Sequence, residues 1–227
     1  VYQWVAPAFD TATNTYKPQG SYEPVILLVA PQYQQLYTLG AAYNINKNNT
    51  VAADVAMSNV DPNMFSKIDN NTHIGFAGRV GYKGAFTTKL DSASHRKQGV
   101  EVDVDYEGVQ NRFTPIERYR TVEFNRDWNI ATGNTAINTT THYNEHLASG
   151  QVGYVWNGIG RLDYRFRSFI QDSVYKGYEN SLNGSFVKGG FKAVITNSYL
   201  KSNSMSGSSD FIRPLADISY AIKKIKG

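Results

Sequence analysis

The stretch that most suggests chemistry in this 227-residue chain is His142-Tyr143-Asn144-Glu145-His146, which reads H-x-x-E-H. On a helix, that spacing stacks two imidazoles on one face and sets a carboxylate beside them to act on a zinc-bound water. The flank Thr139-Thr140-Thr141 is β-branched and favours a strand instead. On a strand the two histidines still share a face, but they sit about 13 Å apart, too far for one zinc. No third ligand is evident. The segment therefore reads as a polar strand end, and neither a metal nor another cofactor is expected.

Two further groups carry charge. Glu117, Arg118, Arg120, Glu123, Arg126 and Asp127 crowd one segment and read as an ion-pair network that satisfies itself. Arg161, Asp163, Arg165 and Arg167 lie two apart, so an acid interrupts the basic row. The aromatic residues of that strand fall on the opposite face, so they cannot interleave as a base-stacking platform, and no nucleic-acid partner is expected. The acids Glu101, Asp103, Asp105 and Glu107 lack a partner acid at a set distance, which glycoside hydrolysis would need. No nucleophile triad, P-loop or G-x-G-x-x-G is present. The chain does not read as an enzyme.

Stepping out to composition, the formal net charge is +4, only 19% of residues are charged, and aromatics reach 13% with 16 Tyr and 11 Phe. Such a profile excludes disorder, collagen and coiled coil. With no Cys, a disulfide framework and thiolate metal sites are excluded as well. The longest apolar run, Pro24 to Pro31, is too short for a transmembrane helix. No signal peptide is legible at Val1, and the chain reads as one region, 1–227, cut from a longer protein.

The elements that hold these residues alternate with period two. Tyr37, Leu39, Ala41 and Tyr43 share one side, and a turn at Asn46-Lys47-Asn48-Asn49 returns the chain through Val51, Ala53 and Val55. Phe76, Val80 and Tyr82 oppose Arg79 and Lys83. Val100, Val102, Val104 and Tyr106 oppose the four acids 101, 103, 105 and 107. Leu162, Tyr164 and Phe166 oppose Arg161, Asp163, Arg165 and Arg167. Residues 84–98 read as a loop, 112–134 break the rhythm, and 202–209 read as a surface tip. Strands are expected again over 174–187, 190–200 and 211–223.

About ten or eleven strands in sequence order predict an all-β antiparallel meander. Alternation fits a soluble sandwich with its apolar side inward, or a membrane barrel with that side toward lipid. Three features favour lipid: runs of about ten residues, Tyr and Trp near the ends of the apolar stripes, and Ala and Gly within those stripes, where lipid needs no filled volume. The expectation is a transmembrane β-barrel, or part of one. Its lumen-lining residues would be Arg79, Lys83, Glu101, Asp103, Asp105, Glu107, Arg161, Asp163, Arg165 and Arg167, and its lipid-facing residues Tyr37, Leu39, Phe76, Val102, Tyr164 and Phe166.

Tyr22-Glu23-Pro24-Val25, together with Pro115-Ile116-Glu117-Arg118-Tyr119-Arg120 and Val122-Glu123-Phe124-Asn125-Arg126-Asp127-Trp128, resembles large outer-membrane β-barrel proteins of the Bacteroidota. The resemblance implies a bacterial outer-membrane location, lipid and other envelope subunits as partners, and a role in a pore or translocation channel for transport or protein secretion. A soluble secreted all-β binding module is the alternative.

Overall fold

The computed structural model describes residues 5–20, 30–65, 73–91, 96–130, 143–156, 158–205 and 207–221. A short hairpin, β1 (Ala8–Asp10) and β2 (Thr15–Lys17), stands apart from the main sheet. Nine strands follow: β3 (Tyr33–Asn46), β4 (Asn49–Asp61), β5 (Ile74–Asp91), β6 (Arg96–Val109), β7 (Glu145–Trp156), β8 (Gly160–Gln171), β9 (Tyr175–Lys188), β10 (Phe191–Ser204) and β11 (Gly207–Tyr220). They pair strictly in sequence order and all antiparallel, so the all-β meander is as expected. β3 and β11 are the two edges and do not pair with each other, so the sheet is open.

Several boundaries differ from the sequence reading. Most of the stretch 84–98 is strand rather than loop: β5 runs on to Asp91 and β6 starts at Arg96, and residues 92–95 lie outside the described residues. A polar composition does not bar a strand, because the ladder satisfies the backbone whatever the side chains. Likewise, 202–209 is not a long tip, because strand pairing continues to Ser204↔Gly207. Serine and asparagine runs pass for loop in one dimension, yet a ladder satisfies their backbone equally well.

Connections at the two ends of the sheet differ. At one end the strands are joined by residues 47–48, 92–95, 157–159 and 189–190. At the other end the connections include 62–73 and 110–144, alongside the short 172–174 and 205–206.

The register assigns each side chain to a face. Tyr37↔Met57↔Phe76, Val80↔Tyr106, and Val102↔Val152↔Tyr164 align directly across neighbouring strands. Residues two apart share a face, so Tyr37, Leu39, Phe76, Val102, Tyr164 and Phe166 all lie on one side. Arg79↔Glu107, Lys83↔Asp103 and Gln151↔Arg165 align on the other. All ten polar positions therefore share the second side. The apolar side is uncovered: Leu39 is 72% exposed, Phe76 49% and Phe166 39%. The small core sits on the polar side, where Trp128, Phe169, Tyr175 and Leu200 are buried.

Candidate functional site: the charged face and its strap

The charged face is built by cross-strand pairing. Arg79 Nε donates to Asp105 Oδ2 at 2.6 Å, and Lys83 Nζ lies 3.6 Å from Asp103. Arg161 reaches Glu101 at 2.7 Å and Asp163 at 2.6 Å. Arg165 Nε donates to Gln151 Oε1 at 2.8 Å, and Arg167 pairs with Glu179. Each of the ten polar residues singled out in the sequence thus has a partner, and Glu107 finds its own in Arg120. Glycines make room for the acids. Gly40 is the cross-strand partner of Asp54, and Gly153 of Asp163. In both cases the carboxylate lies over the glycine, where a Cβ would collide with it.

Over one end of this face runs the segment 110–130, which we term the strap. It holds the charged cluster 117–127, and it lies where alternation breaks in the sequence. Its fixed points span the sheet. Gln34 Nε2 of β3 donates to the Thr114 carbonyl at 3.0 Å, and the Thr114 N–H donates to Ser58 Oγ of β4 at 2.9 Å. In mid-strap, Arg120 Nη2 lies 2.7 Å from Glu107 of β6 and 2.9 Å from Glu145 of β7. At the far end, Tyr175 Oη of β9 donates to the Trp128 carbonyl, and Asn129 Nδ2 to Ser209 Oγ of β11 at 2.8 Å. A one-turn helix α1 (Phe124–Asp127) precedes the buried Trp128. The Trp128 indole packs on Phe169 with ring centroids 5.6 Å apart, and the Arg167 guanidinium lies 5.2 Å above it.

Close approach explains the strap's seat. Gly75 of β5 lies directly beneath the Arg112–Phe113 peptide, and any Cβ there would fall inside the 3.0 Å limit that real Cβ contacts respect. At Gly177 of β9 a Cβ would meet side chains instead, the Tyr175 hydroxyl first and then the Trp128 ring. Glycine inside a strand is a signal of close backbone approach; it was present in the sequence, but its target was not.

Arg120 is the electrostatic centre of the strap. Its guanidinium lies 4.6 Å from the Phe124 centroid and 4.8 Å from that of Tyr119. Burial works against its charge. The hydrogen bond to Glu145 and the negative field of its neighbours outweigh that and hold its pKa above the ordinary arginine value. The ring of Tyr119 is 47% exposed, yet its hydroxyl end turns inward to Glu145 Oε2 at 3.3 Å. Burial of that end, then the Glu145 charge, pushes the Tyr119 phenol up to about 12. Arg120 Nε is buried and has no acceptor among the described residues, while Glu107 Oε1 faces Arg120 off the line of a hydrogen bond.

The remaining candidates separate. His142 lies outside the described residues. Glu145 is spent on Arg120, whereas His146, next in the strand, points to the opposite face, where its Nδ1 is 2.8 Å from Tyr106 Oη. Among the described residues no group of three or more His, Cys, Asp or Glu could hold a metal ion. In the 117–127 cluster, Arg126 pairs with Glu123 and Asp127. Arg118 instead donates to the carbonyls of Arg120 and Thr121. Glu179 and Gln151, both integral to the charged face, were not singled out from sequence, since neither belongs to a row of charged residues spaced two apart that would mark it. Comparison of the chain with protein-family models, characterised proteins and solved structures returned no match.

Proposed function

We propose that this chain is a non-enzymatic part of an outer-membrane β-barrel whose charged face lines a pore or translocation channel, for transport or protein secretion, and whose apolar face meets lipid. One observation carries the reading. The face rich in Leu, Val, Phe and Tyr is bare, while the charged face is the one that is paired, strapped and partly buried. A soluble sandwich requires the reverse, since its stability comes from sealing the apolar face. An apolar face of this extent in water would be an association surface far larger than soluble monomers tolerate.

Strands of twelve to eighteen residues suit a tilted crossing of the hydrocarbon layer. Short turns at one end and longer connections at the other match the usual asymmetry of such barrels, with the longer connections on the outer side. In this orientation the strap narrows the outer mouth of the lumen. Lipid is the partner of the apolar face, and the edges β3 and β11 are where further strands or neighbouring envelope subunits join.

Extraction tests the reading. The full-length protein is expected in the outer-membrane fraction, to require detergent for solubility, and to raise the ion conductance of a planar bilayer. A monodisperse protein in detergent-free buffer would sink it in favour of a soluble binding module.

A further inference from the structure

Between the strap and the charged face of β3 to β6 lies a cleft of about 690 Å³, within the range of sites that take small organic molecules. Its floor is low because the strands contribute Gly40, Ala56 and Ala77. Its walls are mainly apolar, with Leu36 and Val109 below and Phe113 and Ile116 above.

The charges around it do not balance. Arg79 is engaged by Asp105, and Glu107 by Arg120. Asp54 and Glu117 also line the cleft, and neither has an ion-pair partner among the described residues. Arg118, which also lines the cleft, has no carboxylate partner among the described residues and donates to backbone carbonyls. Counting the lining charges with their direct partners, the carboxylates of Asp54, Asp105, Glu107 and Glu117 exceed the guanidiniums of Arg79, Arg118 and Arg120 by one. Asp54 and Glu117 are both exposed, so this excess of negative charge draws cations to the cleft by a modest, salt-screened attraction. Bare metal ions gain little here, because they keep tight water shells and among the described residues no three Asp, Glu, His or Cys converge to replace that water. An ion that brings its own apolar body gains on both counts, burying hydrocarbon against Phe113 and Ile116 while its charge meets the two unpaired carboxylates.

We propose that this cleft is a binding site for an amphipathic organic cation, a single positive centre carried on an apolar or aromatic body. The site rests on the strap and the charged face alone and stands whether or not the apolar face meets lipid.

Two probes of the same shape and opposite charge test it: tetraphenylphosphonium and tetraphenylborate, titrated into the purified protein in one detergent and followed by calorimetry. The cation is expected to bind saturably at one site and the anion not to bind there. Asp54→Asn combined with Glu117→Gln should weaken the cation about tenfold or more, near the loss of one favourable charge contact. Ala77→Phe, which fills the floor and leaves every charge in place, should abolish binding. Unchanged strand content in the circular-dichroism spectra shows that the variants remain folded. Equal binding of both probes, no saturable cation binding to the native protein, or full cation affinity in either variant would overturn the proposal.

Discussion

At the residue scale, Arg120 matters most, because two strands meet the strap through this one side chain. Replacing it with Met keeps much of the packing on Phe124 but leaves Glu107 and Glu145 facing each other without a cation. Removing one member of a mostly buried charge cluster is strongly destabilising, and Arg120→Met is expected to lower unfolding stability by roughly 3 kcal/mol in a denaturant titration. The phenol of Tyr119 adds a pH dependence. Its pKa in the fold, about 12, is raised above the ordinary 10.0, so folding favours the neutral form. The contribution is complete below pH 10 and is lost as pH rises toward 12. Strap docking, followed by Trp128 fluorescence, should weaken over that window, and Tyr119→Phe should reduce the effect. Gly75 is the third decisive position. Gly75→Ala forces its Cβ into the Arg112–Phe113 backbone, so the strap must lift. Faster trypsin cleavage after Arg118 is the expected readout, with the sheet otherwise intact.

At the scale of elements, the strands and the strap are held by different forces. The strands depend on ladders and on alternation that sorts charge from hydrocarbon, and their register carries every face assignment. The strap has almost no secondary structure of its own; it is held by side chains at fixed points, from Ser58 and Gln34 at one edge to Tyr175 and Ser209 at the other. Alternation was therefore legible in the sequence, whereas the strap was not. Its residues announce themselves as charged and aromatic, but the groups that bind them are up to about eighty positions away, as with Asn129 and Ser209. If the charged face lines a pore, deleting 113–127 with a short linker should raise single-channel conductance in a planar bilayer. Unchanged conductance would show that the strap does not lie in the conducting path.

At the scale of the whole molecule, strand parity has a consequence. Among the described residues the main sheet has nine antiparallel strands in sequence order, so β3 and β11 run in the same direction. Closing them on each other would require one parallel pair, while an antiparallel ladder throughout needs an odd number of further strands. The two edges also differ in character. β3 carries no charge and no proline, whereas β11 carries Asp210, Arg213, Asp217 and Pro214. The Ala221 N–H points toward β10, to the Gly190 carbonyl. Pro214 lies an odd number of residues away in an unbroken register, so its missing donor falls on the outer edge. Because the chain contains no native cysteine, cysteines introduced at Ala41 and Ala216 should give no intramolecular cross-link with a short bis-maleimide in the membrane-extracted protein. An efficient cross-link would mean that the nine strands close by themselves.

From sequence alone, period-two patterning determined the all-β meander and divided its side chains between an apolar and a charged face, because alternation in a strand maps directly onto faces. It could not determine which face is covered. Covering depends on long-range contacts that no local period encodes, and here a strap seated on Gly75 and anchored by its own Arg120 and Trp128 covers one end of the charged side, while the hydrocarbon side is bare. It also left open whether the edges meet, which follows from the number and direction of strands in the assembled sheet.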